Sequence, residues 1–235
     1  TIRTLPDSDL AIKEMTYAKD IVFIGGGVMA TELAETARSL NHDANISILI
    51  KDKFLGKPRT DIAISKILEK LYNKRRIAII LNDDVARLWN IENKLDSIVT
   101  KSGKRIKADL IYITTGVVPN IAIGKNLLET NVGFLTNQFL ETSFPDIYAA
   151  GDCAQFYDIE QKRYRLIRAW HYASYTGSIA GHNMVLKKKI PCTPGAIHAH
   201  TMYFGTSYCC IGKFNPKPEE INNYEILLDS KPEEY

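Results

Sequence analysis

Four apolar residues, Ile21-Val22-Phe23-Ile24, run straight into Gly25-Gly26-Gly27, and Val28-Met29-Ala30-Thr31-Glu32 come directly after. Few backbones accommodate that order. A short apolar run bounded by glycine reads as a buried strand, and Met29, Leu33, Ala37 and Leu40 recur at the spacing of one helical face. Between strand and helix lies Gly25-x-Gly27-x-x-Ala30, a dinucleotide fingerprint with alanine in third place. Gly25 permits a tight turn, Gly27 lets the backbone approach a pyrophosphate, and a small third residue lets the helix pack on the strand. The anion then rests at the positive helix N-terminus, where unpaired N–H groups point at it. The expected cradle is Gly25, Gly26, Gly27, Val28, Met29 and Ala30. The competing reading is a glycine turn in an unrelated α/β protein.

The order of the neighbouring segments favours the nucleotide. Thr1–Lys19 reads as a linker with a short amphipathic helix, capped by Asp7 or Ser8, with Leu10, Ile12 and Met15 as its apolar contacts. Ile46-Ser-Ile-Leu-Ile50 is a second buried strand ending at Lys51. An acidic residue there accepts hydrogen bonds from the adenosine ribose, whereas a basic one accommodates a 2′-phosphate. Lys51 therefore favours NADP(H) over NAD(H), although Asp52 next to it could serve the ribose. Residues 60–74 read as a helix with Ile64, Ile67, Leu68 and Leu71 on one side, and Ile77–Leu81 as a third strand. Val85–Trp89 and Leu95–Val99 alternate as an antiparallel excursion, and Asp109–Gly116 closes the domain. The carboxyl ends of the parallel strands, where Gly25, Lys51 and Gly116 fall, are where an open α/β sheet binds its ligand.

Beyond Gly116 the pattern loosens into loops. Asp146–Asp152 reads as a short strand ending in Gly-Asp. Residues 169–185 read as a helix whose small face is Ala173, Gly177, Ala180, Gly181 and Met184. From Ala196 the chain turns β-like. The four cysteines, Cys153, Cys192, Cys209 and Cys210, contain no Cys-x-x-Cys, and buried thiols are expected. His198 and His200 share one strand face; with Cys209 or Cys210 they could reach a metal, but partly exposed polar positions explain them better, and no metal is expected. A net charge of +3 with scattered Lys and Arg gives no nucleic-acid footprint, Lys187-Lys188-Lys189 reading as a solvated helix end. No apolar window approaches the ~18 residues a membrane span needs, and without a signal peptide the cytoplasm is the expected compartment.

Four stretches in this order resemble the FAD- and NAD(P)-dependent pyridine nucleotide-disulfide oxidoreductase family, in particular its rubredoxin reductase, NADH oxidase and nitrite reductase flavin-module types. They are Ile24–Glu32, Thr114-Thr115-Gly116-Val-Val-Pro119-Asn120, Thr142-Ser-x-Pro-Asp146-Ile-Tyr-Ala-Ala-Gly151-Asp152, and Trp170-x-x-Ala173-x-x-x-Gly177-x-x-Ala180. The resemblance implies a Rossmann-like three-layer NAD(P)-binding domain at 20–115 after a linker at 1–19. It also implies part of an FAD-binding domain at 116–192 and the start of an α+β interface domain at 193–235. It implies that Glu32 lies near the nicotinamide ring, that Thr115 and Gly116 mark the crossing between domains, and that Asp152, after Gly151, accepts a hydrogen bond from the FAD ribityl chain. Trp170 and His171 would begin the helix facing the flavin.

The departures matter equally. Members of the family open with an FAD fingerprint upstream of the nicotinamide domain; none is present, so either the chain is a fragment or a complementary chain supplies it. Val118 replaces an arginine often seen before Pro119. The expected function is hydride transfer from NAD(P)H to FAD and on to an unidentified acceptor, a redox protein among the candidates, with no catalytic side chain assigned and an oligomer possible. The alternative is a flavin-free nicotinamide-binding module.

Overall fold

The computed structural model describes residues 2–56, 60, 62–196 and 198–212. It divides into two compact units, one running to Gly116 and joined by the stretch from His198, the other spanning Val117–Ile197.

The first unit begins with α1 (Leu5–Tyr17), β1 (Asp20–Ile24), α2 (Val28–Leu40), β2 (Asn45–Leu49), α3 (Ile62–Lys74) and β3 (Ile77–Ile80). It continues with β4 (Val85–Ile91), β5 (Lys94–Thr100), β6 (Arg105–Lys107) and β7 (Leu110–Ile113). The parallel sheet has the order β3-β2-β1-β7. Alternation along β1 sorts the two cores. Ile21 and Phe23 face α1, α2 and α3 with Ile46, Ile48, Ala34 and Leu68. Val22 and Ile24 face the antiparallel β4-β5-β6 meander with Ile98 and Ile106. The result is the three-layer nucleotide-binding architecture expected from the strand and helix order. The meander turns at Glu92-Asn93, both at positive φ, the geometry of a type I′ hairpin.

Several local expectations were wrong. The cap of α1 is Thr4, whose side chain accepts from Asp7 N, while the Asp7 carboxylate returns to the Thr4 N–H. Its buried contacts are Ala11 and Met15; Leu10 and Ile12 are exposed. On α2, Met29 and Leu40 face solvent, and the sheet-facing stripe is Ala30, Ala34 and Ala37. Side chains that small let the helix axis lie close to the strands, which leaves larger neighbours outside. Ile67 of α3 is exposed for the same kind of reason, because Ser65, Leu68 and Tyr72 take the inner face.

The second unit holds β8 (Phe134–Thr136), a single 3₁₀ turn at Gly151–Cys153, β9 (Ala154–Asp158), β10 (Arg163–Arg165) and α4 (Trp170–Val185). Its sheet order is β10-β9-β8. Asp146–Asp152 is not a sheet strand: Ala149 N donates to Leu140 O and Thr142 N to Ile147 O, so the segment pairs locally and then tightens into the 3₁₀ turn. The packed face of α4 is Tyr172, Thr176, Ala180 and Asn183, whereas Gly177, Gly181 and Met184 look outward. Back in the first unit, β11 (His198–Tyr203) and β12 (Thr206–Ile211) pair as an antiparallel hairpin. Cys192 is the buried thiol; Cys153 and Cys210 are half-buried and Cys209 is exposed, so burial of all four was an overestimate. No described helix is long and apolar enough to cross a membrane.

Candidate functional site

At the carboxyl end of the parallel sheet, Gly25 leaves β1 with φ +114°, a conformation side chains avoid. Its N–H donates to Leu49 O at 2.9 Å, so the turn is tied to β2. A Cβ on Gly25 would stand 2.7 Å from Thr114 O, and one on Gly26 would meet Ile50. Gly27 is different: among the described residues nothing lies within 4 Å of the place a Cβ would take. Gly27 is also the N-cap of α2 and supplies no side-chain cap, which leaves the first N–H groups of the helix available to a ligand. Ala30 is buried under them, Val28 is half-buried and Met29 exposed. Gly116, after β7, has φ +114° and likewise meets nothing within 4 Å among the described residues, and Thr115 beside it is exposed.

Lys51 is exposed at the end of β2. Asp84 lies nearby: hydrogen bonding from Lys101, 2.7 Å away, holds its carboxyl below the usual carboxylate range, with the Lys51 charge contributing in the same direction. Glu32, on the outward side of α2, accepts a hydrogen bond from Thr201 Oγ1 of β11 at 2.8 Å. That partner was not anticipated; the two residues are 169 positions apart and no local pattern joins them.

In the second unit Gly151, at φ +73°, donates its N–H to Thr176 Oγ1 of α4 at 2.9 Å. That bond presents Asp152 at the surface, where no described residue engages its carboxylate. Trp170 opens α4 at 87% exposure. Arg168, just before it, donates to Val117 O, which brings a guanidinium beside Val118, the position where the resemblance leads one to miss an arginine. Its place two residues ahead of a helix start was the available signal.

These features suit a dinucleotide-binding α/β domain: an uncapped helix N-terminus with room beside it among the described residues, a glycine turn closed against the neighbouring strand, and a charged side chain at the second strand end. The pyridine nucleotide-disulphide oxidoreductase family model matches residues 1–177, and the chain belongs to that family. Nitrite reductase [NAD(P)H] of Bacillus subtilis is 26% identical over 154 residues, 65% of this chain and 19% of that protein. Rubredoxin-NAD(+) reductase of Acinetobacter baylyi is 31% identical over 139 residues, 58% of this chain and 35% of that protein. The reductase fold in the crystal structure of the covalent putidaredoxin reductase–putidaredoxin complex superposes with a TM-score of 0.82 at 23% identity, over 90% of this chain and 50% of that one. The chain thus spans half or less of the length of these relatives.

Proposed function

We propose that this chain supplies the nicotinamide-nucleotide site, and the Gly-Asp corner of the flavin site, of an NAD(P)H-dependent flavin oxidoreductase. The observation that carries the reading is the uncapped start of α2 at Gly27, beside a turn that Thr114 keeps free of side chains. The α2 N–H groups would bind pyrophosphate oxygens, with Gly25, Gly26, Gly27, Val28, Met29 and Ala30 around them. The nicotinamide end would reach Glu32, Thr115 and Gly116, and the adenosine end Lys51. Asp152 would accept a hydrogen bond from the FAD ribityl chain, with Trp170 beside the flavin. NAD(P)H supplies the hydride and FAD takes it up; the residues of this chain bind the two cofactors and orient them.

The exposed ammonium of Lys51 supports NADPH over NADH, because a 2′-phosphate adds charge for it to bind. A small redox protein is the acceptor that the names of the rubredoxin and putidaredoxin reductases support. The four free cysteines suit the reducing cytoplasm. The test is the visible spectrum of the purified protein with its intact mass. A blue-region flavin band bleached anaerobically by NADPH is expected. Colourless protein that still binds NADPH would overturn the flavin reading and leave a binding module, and colourless protein that binds neither nucleotide would overturn the whole.

A further inference from the structure

Two carboxylates one helical turn apart on α2 grip the β11–β12 hairpin. Thr201 Oγ1 donates to Glu32 Oε1 at 2.8 Å, and Phe204 N donates to Glu35 Oε2 at 3.0 Å. Aromatic packing locks the hairpin in that register. Tyr72 of α3 meets Tyr203 and Phe204 edge-on at 6.2 and 5.2 Å, and the Arg75 guanidinium lies 5.2 Å from the Phe204 ring. Thr201 is buried while Glu32 is exposed, so the hydroxyl is the fixed partner and the carboxylate is the group being aimed. The bond occupies Oε1; no described residue takes Oε2. Beside this pair runs an open cavity of about 400 Å³, lined by Glu32, Glu35, Thr36 and Met202 among others.

We propose that Thr201 is a positioning residue for the nicotinamide end of the dinucleotide: it holds one oxygen of Glu32 so that the other is presented to the carboxamide N–H₂. The inference rests on the reading that the start of α2 binds NAD(P)H with its nicotinamide end toward Glu32. A glutamate on an exposed helix face samples several rotamers, and a ligand that needs one of them must bear the ordering entropy. A buried hydroxyl that selects the rotamer beforehand removes that cost, and the gain falls on the nicotinamide alone.

The test compares NADPH with 2′-phospho-ADP-ribose, which shares the adenosine and pyrophosphate but has no nicotinamide, by calorimetric titration of the full chain. Thr201→Val, which keeps the shape and removes the hydroxyl, is expected to weaken NADPH about fivefold, the scale of one modest hydrogen bond. The ribose compound is expected to bind as before, and Thr201→Ser to restore NADPH. Should Thr201→Val fold poorly, Glu32→Ala at an exposed position, which removes both acceptor oxygens, is the second variant, expected to lose NADPH affinity selectively. Unchanged NADPH binding in either variant, or equal losses for both ligands, overturns the role. If the unsubstituted protein binds neither ligand, the nucleotide site itself is refuted, an outcome distinct from failure of Thr201 alone.

Discussion

Thr114 O stands 2.7 Å from where a Cβ on Gly25 would be, and Thr114 is itself pinned, its N–H and its hydroxyl each donating to Ile24 O at 2.8 Å. The carbonyl therefore cannot yield. Gly25→Ala meets this clash on top of the φ +114° strain and is expected to destabilise the first unit by about 2–4 kcal/mol. Gly27→Ala meets no clash among the described residues and is expected to cost less than about 1 kcal/mol, yet its methyl fills the phosphate approach. Urea titration with nucleotide binding separates them: stability falls in the first variant, and binding without stability in the second. A Gly27→Ala protein with intact affinity would move the pyrophosphate elsewhere.

Lys51 should set the preference between the two nicotinamide cofactors. Replacing it with glutamate turns an attraction for the 2′-phosphate into a repulsion, and NADPH affinity is expected to fall about tenfold, while NADH, with its free ribose hydroxyls, is little changed. Paired dissociation constants decide it. Equal losses for both cofactors would make Lys51 a general electrostatic contact.

The sheet was legible because β1, β2 and β3 are largely apolar runs and α2 starts at glycines, signals that act within a few residues. Which side of each helix lies inside was not. A hydrophobic-spacing rule gives Met29 and Leu40 to the core, but close approach to the sheet selects Ala30, Ala34 and Ala37. Arg38 is buried at the end of α2, where it donates to the carbonyls of Asn41, His42, Arg75 and Arg76 and so closes two helix ends at once. Nothing around Arg38 in sequence announces a partner 37 residues on. The same holds for Thr201 at Glu32: the cradle glycines are a local motif, whereas its polar neighbours come from distant chain.

In the second unit Asp158 is fully buried and takes the Arg165 guanidinium with the N–H groups of Glu160 and Gln161. Burial pushes its carboxyl up, but Arg165 and the two amides outweigh burial and leave it below the usual carboxylate range. A depressed carboxyl contributes stability that is complete above the unfolded value of about 4 and lost as pH falls through the folded one. Unfolding midpoints of the second unit should therefore drop at acid pH, and Asp158→Asn should flatten that dependence. Arg165→Leu leaves a buried carboxylate with two amides but no counter-charge and is expected to cost about 3–5 kcal/mol at neutral pH. An acid limb identical in the Asp158→Asn protein would refute the assignment.

Cys192 sits near that ion pair, and burial, with Asp158 acting in the same direction, pushes its thiol up to about 11. Cys209 is exposed on the hairpin. Thiolate is the reacting form, so a disulfide reagent at mildly alkaline pH should label Cys209 in a fast phase and Cys192 only on unfolding. Cys209→Ser should remove the fast phase. Rapid labelling of Cys192 in the folded protein would mean that the interior of this unit opens readily.

Phe204 and Gly205 both have positive φ, 49° and 82°, at the tip of the β11–β12 hairpin. Asparagine-glycine is the usual pair for such a type I′ turn, and a bulky residue there is strained by about 1–3 kcal/mol. The ring must then contribute more than the strain removes if the hairpin is to stay down. It packs against Tyr72 and under Arg75, and its backbone N–H binds Glu35. Full burial of such a ring gives about 1.5–3 kcal/mol, of which the half-buried Phe204 takes a part, and a cation over it gives about 0.5–1 more at an exposed site. Phe204→Ala loses the ring and keeps the strained backbone, so it should loosen the hairpin most; Phe204→Asn loses the ring but relieves the turn and should fall between. Hydrogen exchange of the Tyr203 and Thr206 amides, which pair across the hairpin, reads this order directly. Greater protection in the Phe204→Asn protein than in the unsubstituted one would mean that turn strain outweighs docking, and that the grip on α2 rests on Thr201 and Glu32 instead.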